Sequence, residues 1–202
     1  MTQPEPFDAV VLAGGAGRRM GGVDKPALRV GGSSLLERVA AAVRDSRRLV
    51  VVGPAREHPP ARYVREDPPG AGPIPALRAG MAEVESPWFA LLAGDLPFVT
   101  PSDITRLRLA ARGYAGAALL DTTGRPQWLL GVWHTATLRA ALGGYTGASL
   151  RGLLSPLRPA LLAARDPADR SAFDCDTPQA LAQARAAFRA ADRDGGGPAA
   201  SR

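Results

Sequence analysis

The chain has 202 residues, a formal net charge of +6 and one cysteine, Cys175. That length gives one domain, or two small ones at most, with a core large enough to need no covalent or metal staple. One cysteine excludes an internal disulfide framework and a multi-cysteine zinc site, and two histidines, His58 and His134, leave no histidine-rich metal site. Of the 25 basic residues only Lys25 is a lysine, and the chain has no asparagine. The start, Met1 to Phe7, lacks the pattern of a signal peptide, and no apolar run is long enough to span a membrane. The expectation is a cytoplasmic globular protein. The positive charge favours anionic ligands, but it is scattered, with short clusters only at Arg18-Arg19 and Arg47-Arg48 and few aromatic residues. No nucleic-acid surface is expected.

In chain order, Phe7 to Leu12 is a short apolar run ending at glycines and reads as a buried strand. Ser33 to Arg44 has apolar residues at helical spacing, with Ser34 and Glu37 set as a capping box. Leu49 to Val52 is a second strand and Arg62 to Arg65 a weaker third. Pro75 to Val84 reads as a helix with proline in its first turn. Trp88 to Ala93 is the most apolar strand, followed by a helix over Pro101 to Arg112. Tyr114 to Leu120 and Gln127 to Trp133 are two more strands. Thr135 to Leu142 and Ser149 to Leu154 are short helices. Leu157 to Ala163 and Ala172 to Cys175 form a last pair of strands, and Pro178 to Ala191 a terminal helix. Residues 1–192 make one domain. The last ten residues, Arg193 to Arg202, are too polar to bury surface and read as a disordered tail.

Repeated strand–helix alternation predicts an α/β fold, three-layered and Rossmann-like, with a mostly parallel central sheet. Ligands in such sheets collect beyond the carboxyl ends of the strands. The segments after those ends carry Gly14-Gly15, Gly53, Asp67 and Asp95.

The first of these loops holds glycines 14, 15, 17, 21 and 22 with Arg18, Arg19 and Lys25. Successive backbone N–H groups in such a loop can cradle phosphates. The third glycine of a dinucleotide fingerprint is replaced by Met20, and Lys25 precedes Pro26, so neither a Rossmann dinucleotide motif nor a Walker loop fits. Asp95, just past the most apolar strand, is placed to ligate magnesium or simply to shape a turn. Asp174 and Asp176 would share one face of a strand and form a second carboxylate cluster, with Cys175 turned into the core. Alternatively Asp176 or Thr177 caps the terminal helix. Gly70 and Gly72-Pro73 can form a tight turn beside a ligand or an ordinary loop. Trp128 and Trp133 fit a core better than a stacking site, and His134 fits a surface or capping position better than a base.

Taken together, Leu12-Ala13-Gly14-Gly15, Arg19-Met20-Gly21 and Asp24-Lys25-Pro26 resemble the signature of the sugar-nucleotidyltransferase-like superfamily, and within it the molybdenum cofactor guanylyltransferases. Weaker matches follow in order: Asp67 with Gly72-Pro73, Gly94-Asp95-Leu96-Pro97, Gln127 with Gly131-Val132-Trp133, Ser149-Leu150-Arg151, and Asp174 to Pro178. The resemblance implies transfer of GMP from GTP to the terminal phosphate of molybdopterin carrying molybdenum, with Mg²⁺ and release of pyrophosphate. It implies that Leu12, Ala13, Gly14 and Gly15 lie against guanine and ribose, that Lys25, Asp67 and Gly72 bind the nucleotide, and that Asp95 holds the metal at the α-phosphate. Arg19, with Lys25 and Asp95, would carry the catalysis. Arg151, Asp174 and Asp176 would face a phosphorylated pterin-type acceptor, and delivery of the product implies transient contact with molybdenum-cofactor enzymes. The chain departs from the family at Ile74-Pro75-Ala76, at Gln127-Trp128-Leu129, at Gly53 and in the aspartates 174 and 176, which bears on base and acceptor more than on reaction type. Other readings are a cytidylyl- or guanylyltransferase acting on another phosphorylated metabolite, or a catalytically idle nucleotide-binding partner protein.

Overall fold

The computed structural model describes residues 5–14 and 23–194. Nine strands, β1 Phe7–Leu12, β2 Arg29–Val30, β3 Ser33–Ser34, β4 Leu49–Val52, β5 Arg62–Val64, β6 Trp88–Ala93, β7 Gly116–Leu120, β8 Pro126–His134 and β9 Ala160–Leu162, fall among these residues. Six α-helices accompany them: α1 Leu35–Ala42, α2 Pro73–Met81, α3 Pro101–Ala110, α4 Thr135–Gly144, α5 Leu150–Leu154 and α6 Pro178–Asp194.

Seven strands form one sheet in the order β5-β4-β1-β6-β8-β7-β9. The pairs β5–β4, β4–β1, β1–β6 and β7–β9 are parallel, while β8 runs antiparallel to both β6 and β7. Strands β2 and β3 form a separate small hairpin.

The two faces of the sheet explain the three layers. Side chains alternate along each strand, so Ala9 and Val11 of β1 join Val51, Ala90 and Leu92 under α1 and α3, whose Leu36, Val39, Ile104 and Leu107 close that core. Val10, Val50, Val52, Phe89 and Leu91 point the other way and pack against Ile74, Leu77 and Met81 of α2, Leu138 and Leu142 of α4, and Leu150 and Leu154 of α5. Being buried on both sides, β1, β4 and β6 carry almost no polar residue, as their sequences led one to expect. A third cluster seats α6: Leu181 and Ala184 pack on Val30, Leu35 and Cys175, and Phe188 stacks on Phe98 with ring centroids 5.1 Å apart.

The elements match the sequence reading apart from the β2–β3 hairpin, which it did not contain and which takes Ser33 and Ser34 from the expected start of α1, and three further corrections. Helix α2 starts at Pro73, two residues early, because the first turn has no intrahelical N–H bonds to lose and so tolerates both Pro73 and Pro75. Gly72, at φ 105°, makes the turn into it. The segment 172–175 is not a strand; the Cys175 N–H donates instead to the Asp95 carbonyl (3.1 Å), tying this segment directly to the end of β6. Helix α6 runs on to Asp194, and residues 195–202 of the expected tail lie outside the described residues. The capping box at Ser34 and Glu37 is formed in full. Among the described residues, no helix is long and apolar enough to cross a membrane.

Candidate active site

A cleft of about 900 Å³ opens over the carboxyl ends of β1 and β6. Its walls come from the loop after β1 (Leu12 to Gly14), the 3₁₀ turn Lys25–Ala27, the segment from Glu66 to Pro73, the loop after β6 (Gly94 to Leu96), the start of β8, α5 and the loop before α6. The topology favours this position, beyond the carboxyl ends of the parallel strands β1, β5 and β6.

Lys25 stands at the floor. Its ammonium pairs with the Asp176 carboxylate and lies 3.8 Å from Asp95 Oδ2. The turn that presents it is held by Arg56, whose guanidinium binds both oxygens of the neighbouring Asp24 at 2.6 Å. That fork-to-fork pair raises the Arg56 pKa and fixes the backbone next to Lys25. Arg56 carried no motif in the sequence and is a positioning residue that composition hides among many arginines.

Asp95 is largely buried. Desolvation pushes its pKa up to about 6; Lys25 opposes this, and the Asp176 and Asp174 charges add to it. A buried carboxylate perturbed in this way by desolvation and specific charges, inside a cleft, is a candidate functional group. Asp174 and Asp176 both line the cleft although they lie on no strand, and they reach it from the segment anchored by Cys175. The capping alternative resolves cleanly: the Thr177 hydroxyl accepts the Ala180 N–H (3.1 Å), which leaves Asp176 for Lys25. Cys175 faces the core as expected, and burial with the nearby Asp95 and Asp174 charges pushes its thiol up to about 12, so it is no nucleophile.

Leu12, Ala13, Gly14, Gly72 and Arg151 also line the cleft, as the sequence reading places them. Asp67 does not. It is exposed, and the neighbouring Glu66 is the residue that turns inward. Gly53 is not in the wall either; a Cβ there would come within 2.9 Å of the Ala13 carbonyl oxygen, so this position lets the β4 exit pass close behind the β1 loop. Gly15 and Arg19 lie outside the described residues. Trp133 is fully buried, whereas Trp128 lines the cleft. A register shift between β7 and β8 accompanies this: Ala118 pairs with Gly131 and Leu119 with Gln127, so residues 128–130 have no partner on β7. His134 precedes α4, with Nδ1 2.9 Å from the Thr137 hydroxyl, away from the chemistry.

Comparison with known proteins gives the family and the fold. The model of the MobA-like NTP transferase domain matches residues 9–162. A probable molybdenum cofactor guanylyltransferase of Chloroflexus aggregans is 31% identical over 194 residues, covering 87% of this chain and 91% of that protein. A probable molybdenum cofactor guanylyltransferase of Methanosarcina acetivorans is 37% identical over 123 residues, a match spanning 54% of this chain and about half, 55%, of that protein. Among solved structures, a nucleotidyl transferase from Methanothermobacter thermautotroptrophicus superposes with a TM-score of 0.77 at 21% identity, covering 92% of this chain and 99% of that one. That likeness establishes the fold.

Proposed function

The chain is a nucleotidyltransferase of the MobA-like NTP transferase domain family, and on that premise we propose that it moves GMP from GTP to the terminal phosphate of molybdopterin carrying molybdenum, with Mg²⁺. The observation that carries this reading is the Lys25–Asp95–Asp176 cluster at the end of β6, a cation flanked by carboxylates in a largely buried pocket. The names of the relatives supply the acceptor and the base.

An oxygen of the acceptor phosphate attacks the α-phosphorus of GTP, a new P–O bond forms, and the bond to the leaving pyrophosphate breaks. The acceptor is already anionic, so no strong general base is needed, and charge neutralisation with positioning supplies the acceleration. Lys25 exchanges its pairing with Asp176 for the nucleotide phosphates. Arg19 is assigned the leaving-group charge on the strength of the family signature alone. Arg151, Asp174 and Asp176 face the acceptor. Trp128 and Gln127 line the wall between, and the Gln127 amide donates to Asp121 Oδ2 (2.9 Å), which holds that wall in place.

The donor set suits a magnesium ion. Asp95 is a desolvated oxygen donor with two further carboxylates close by, and magnesium characteristically binds through one or two carboxylates with substrate phosphates and waters completing its shell. Such an ion would neutralise charge on the transferring phosphoryl group. Delivery of the finished cofactor would bring the chain into transient contact with molybdenum-cofactor enzymes.

The test is pyrophosphate release with each of the four nucleoside triphosphates, with and without molybdopterin and Mg²⁺. Turnover with GTP alone, dependent on both additions, is expected. Turnover with CTP, or with another phosphorylated acceptor only, would replace this substrate pair by a sister reaction. Binding of GTP without any turnover would make the chain an idle nucleotide-binding partner.

A further inference from the structure

Glu66 has no part in the chemistry above, yet its state calls for a ligand. It follows β5, lines the cleft and is 6% exposed. Its Oε1 accepts the Gly70 N–H at 2.8 Å. Its Oε2 is buried and, among the described residues, has no hydrogen-bond partner. A Cβ placed on Gly14 would stand 3.6 Å from that oxygen, so the carboxylate sits at contact distance behind the loop that follows β1. A buried acceptor left unpaired is unfavourable, and a ligand that brings N–H groups to it is correspondingly favoured.

The position decides which part of a nucleotide comes here. Among the described residues no cation pairs with Glu66, and a lone carboxylate repels phosphates, whereas the carboxylates beyond β6 have Lys25 among them. The only lysine is paired beside Asp95 after β6, whereas Glu66 follows β5, and β1 and β4 lie between these strands in the sheet. The anionic end of a nucleotide therefore goes to Lys25, and the base goes to Glu66. Among the bases, guanine presents two adjacent donors, its ring N–H and its amino group. Adenine and cytosine set a ring acceptor beside their amine, and uracil flanks one N–H with carbonyls. Only the guanine edge matches a carboxylate, whose oxygens are acceptors alone and can each take more than one donor.

We propose that Glu66 selects the base, its carboxylate accepting from the adjacent N–H donors of guanine. The inference rests on reading the cleft as a nucleotide site. Sites built around such hydrogen bonds reject analogues that leave them unmade, by factors reaching about 10⁴.

The test is equilibrium binding without acceptor, for wild type and Glu66→Gln, using GTP, inosine triphosphate, ATP, CTP and inorganic tripolyphosphate. Inosine triphosphate lacks only the amino group. Wild type is expected to bind GTP at least tenfold more tightly than inosine triphosphate, ATP or CTP. In Glu66→Gln the GTP affinity falls at least tenfold and the ratio of GTP to inosine triphosphate collapses toward one, with tripolyphosphate binding unchanged. An unchanged ratio in the variant, or a wild type without preference for GTP, overturns the proposal. An equal loss of GTP and tripolyphosphate assigns Glu66 a structural role and overturns it as well. Failure of GMP transfer would remove the proposed reaction yet leave this binding result standing, and an unchanged ratio in a variant that still transfers GMP would remove Glu66 alone.

Discussion

Two clusters of aspartates in this molecule have opposite electrostatic character. In the first turn of α3, Asp103 is fully buried; its Oδ2 accepts the Thr100 N–H and hydroxyl, and its other oxygen lies 2.9 Å from the Arg165 guanidinium. Asp169 next to it is pushed up by burial, but hydrogen bonds from the Arg165 and Ser171 N–H groups and the Ser171 hydroxyl, with the Arg165 charge, more than reverse this and hold its pKa far below the usual range. In the cleft, Asp95 has one lysine at 3.8 Å and two acidic neighbours, and its pKa rises. Near α3 the carboxylates are compensated by the Arg165 charge and by hydrogen bonds, even though Asp103 Oδ1 itself makes no hydrogen bond among the described residues. In the cleft the compensation is weaker: Asp95 shares one lysine with two acidic neighbours, and Glu66 Oε2 has, among the described residues, neither a hydrogen-bond partner nor a paired cation.

Variants in the two clusters should therefore fail in different ways. Asp95→Ala is expected to lower GTP turnover by about 10² to 10³, the scale of losing one electrostatic contact to the transition state; pyrophosphate release measures it, and near wild-type turnover would remove Asp95 from the chemistry. Lys25→Arg keeps the charge but places a planar fork in the gap between Asp95 and Asp176, and turnover should fall roughly tenfold. A neutral swap would show that this chain's only lysine is incidental. Asp169→Ala should leave turnover unchanged and cost about 1 to 3 kcal/mol in urea unfolding at neutral pH. Because the folded pKa of Asp169 is lowered, its contribution is present above the unfolded value near 4 and disappears as pH falls below it, so variant and wild type should converge in acid. Smallest, Thr100→Ala removes the cap of α3 and should cost about 1 kcal/mol with no kinetic effect.

Much of this was legible in the sequence where local rules act alone. The apolar runs of β1, β4 and β6 and the Ser34–Glu37 box each contain their own explanation. The aspartates 174 and 176 were found for a reason that does not hold, a shared strand face, and they reach the cleft because the Cys175 N–H bonds to the Asp95 carbonyl across the fold. Glu66 was missed in favour of Asp67, since past the end of β5 no strand alternation says which of two adjacent acids turns inward. Arg56 was invisible because its value lies in a long-range fork to Asp24.

The most direct measurement pairs activity with stability in Asp95→Asn at pH 7.5. The raised pKa of Asp95 means that its ionisation works against folding: the stability present below pH 4 is lost as pH rises through about 6. The amide should therefore stabilise the metal-free protein at pH 7.5 by up to about 3 kcal/mol, with the gain vanishing below pH 4, while GTP turnover is lost. An inactive variant that is more stable than wild type bears out a carboxylate kept for chemistry. A variant that turns over GTP like wild type, or one that is inactive and less stable, contradicts it.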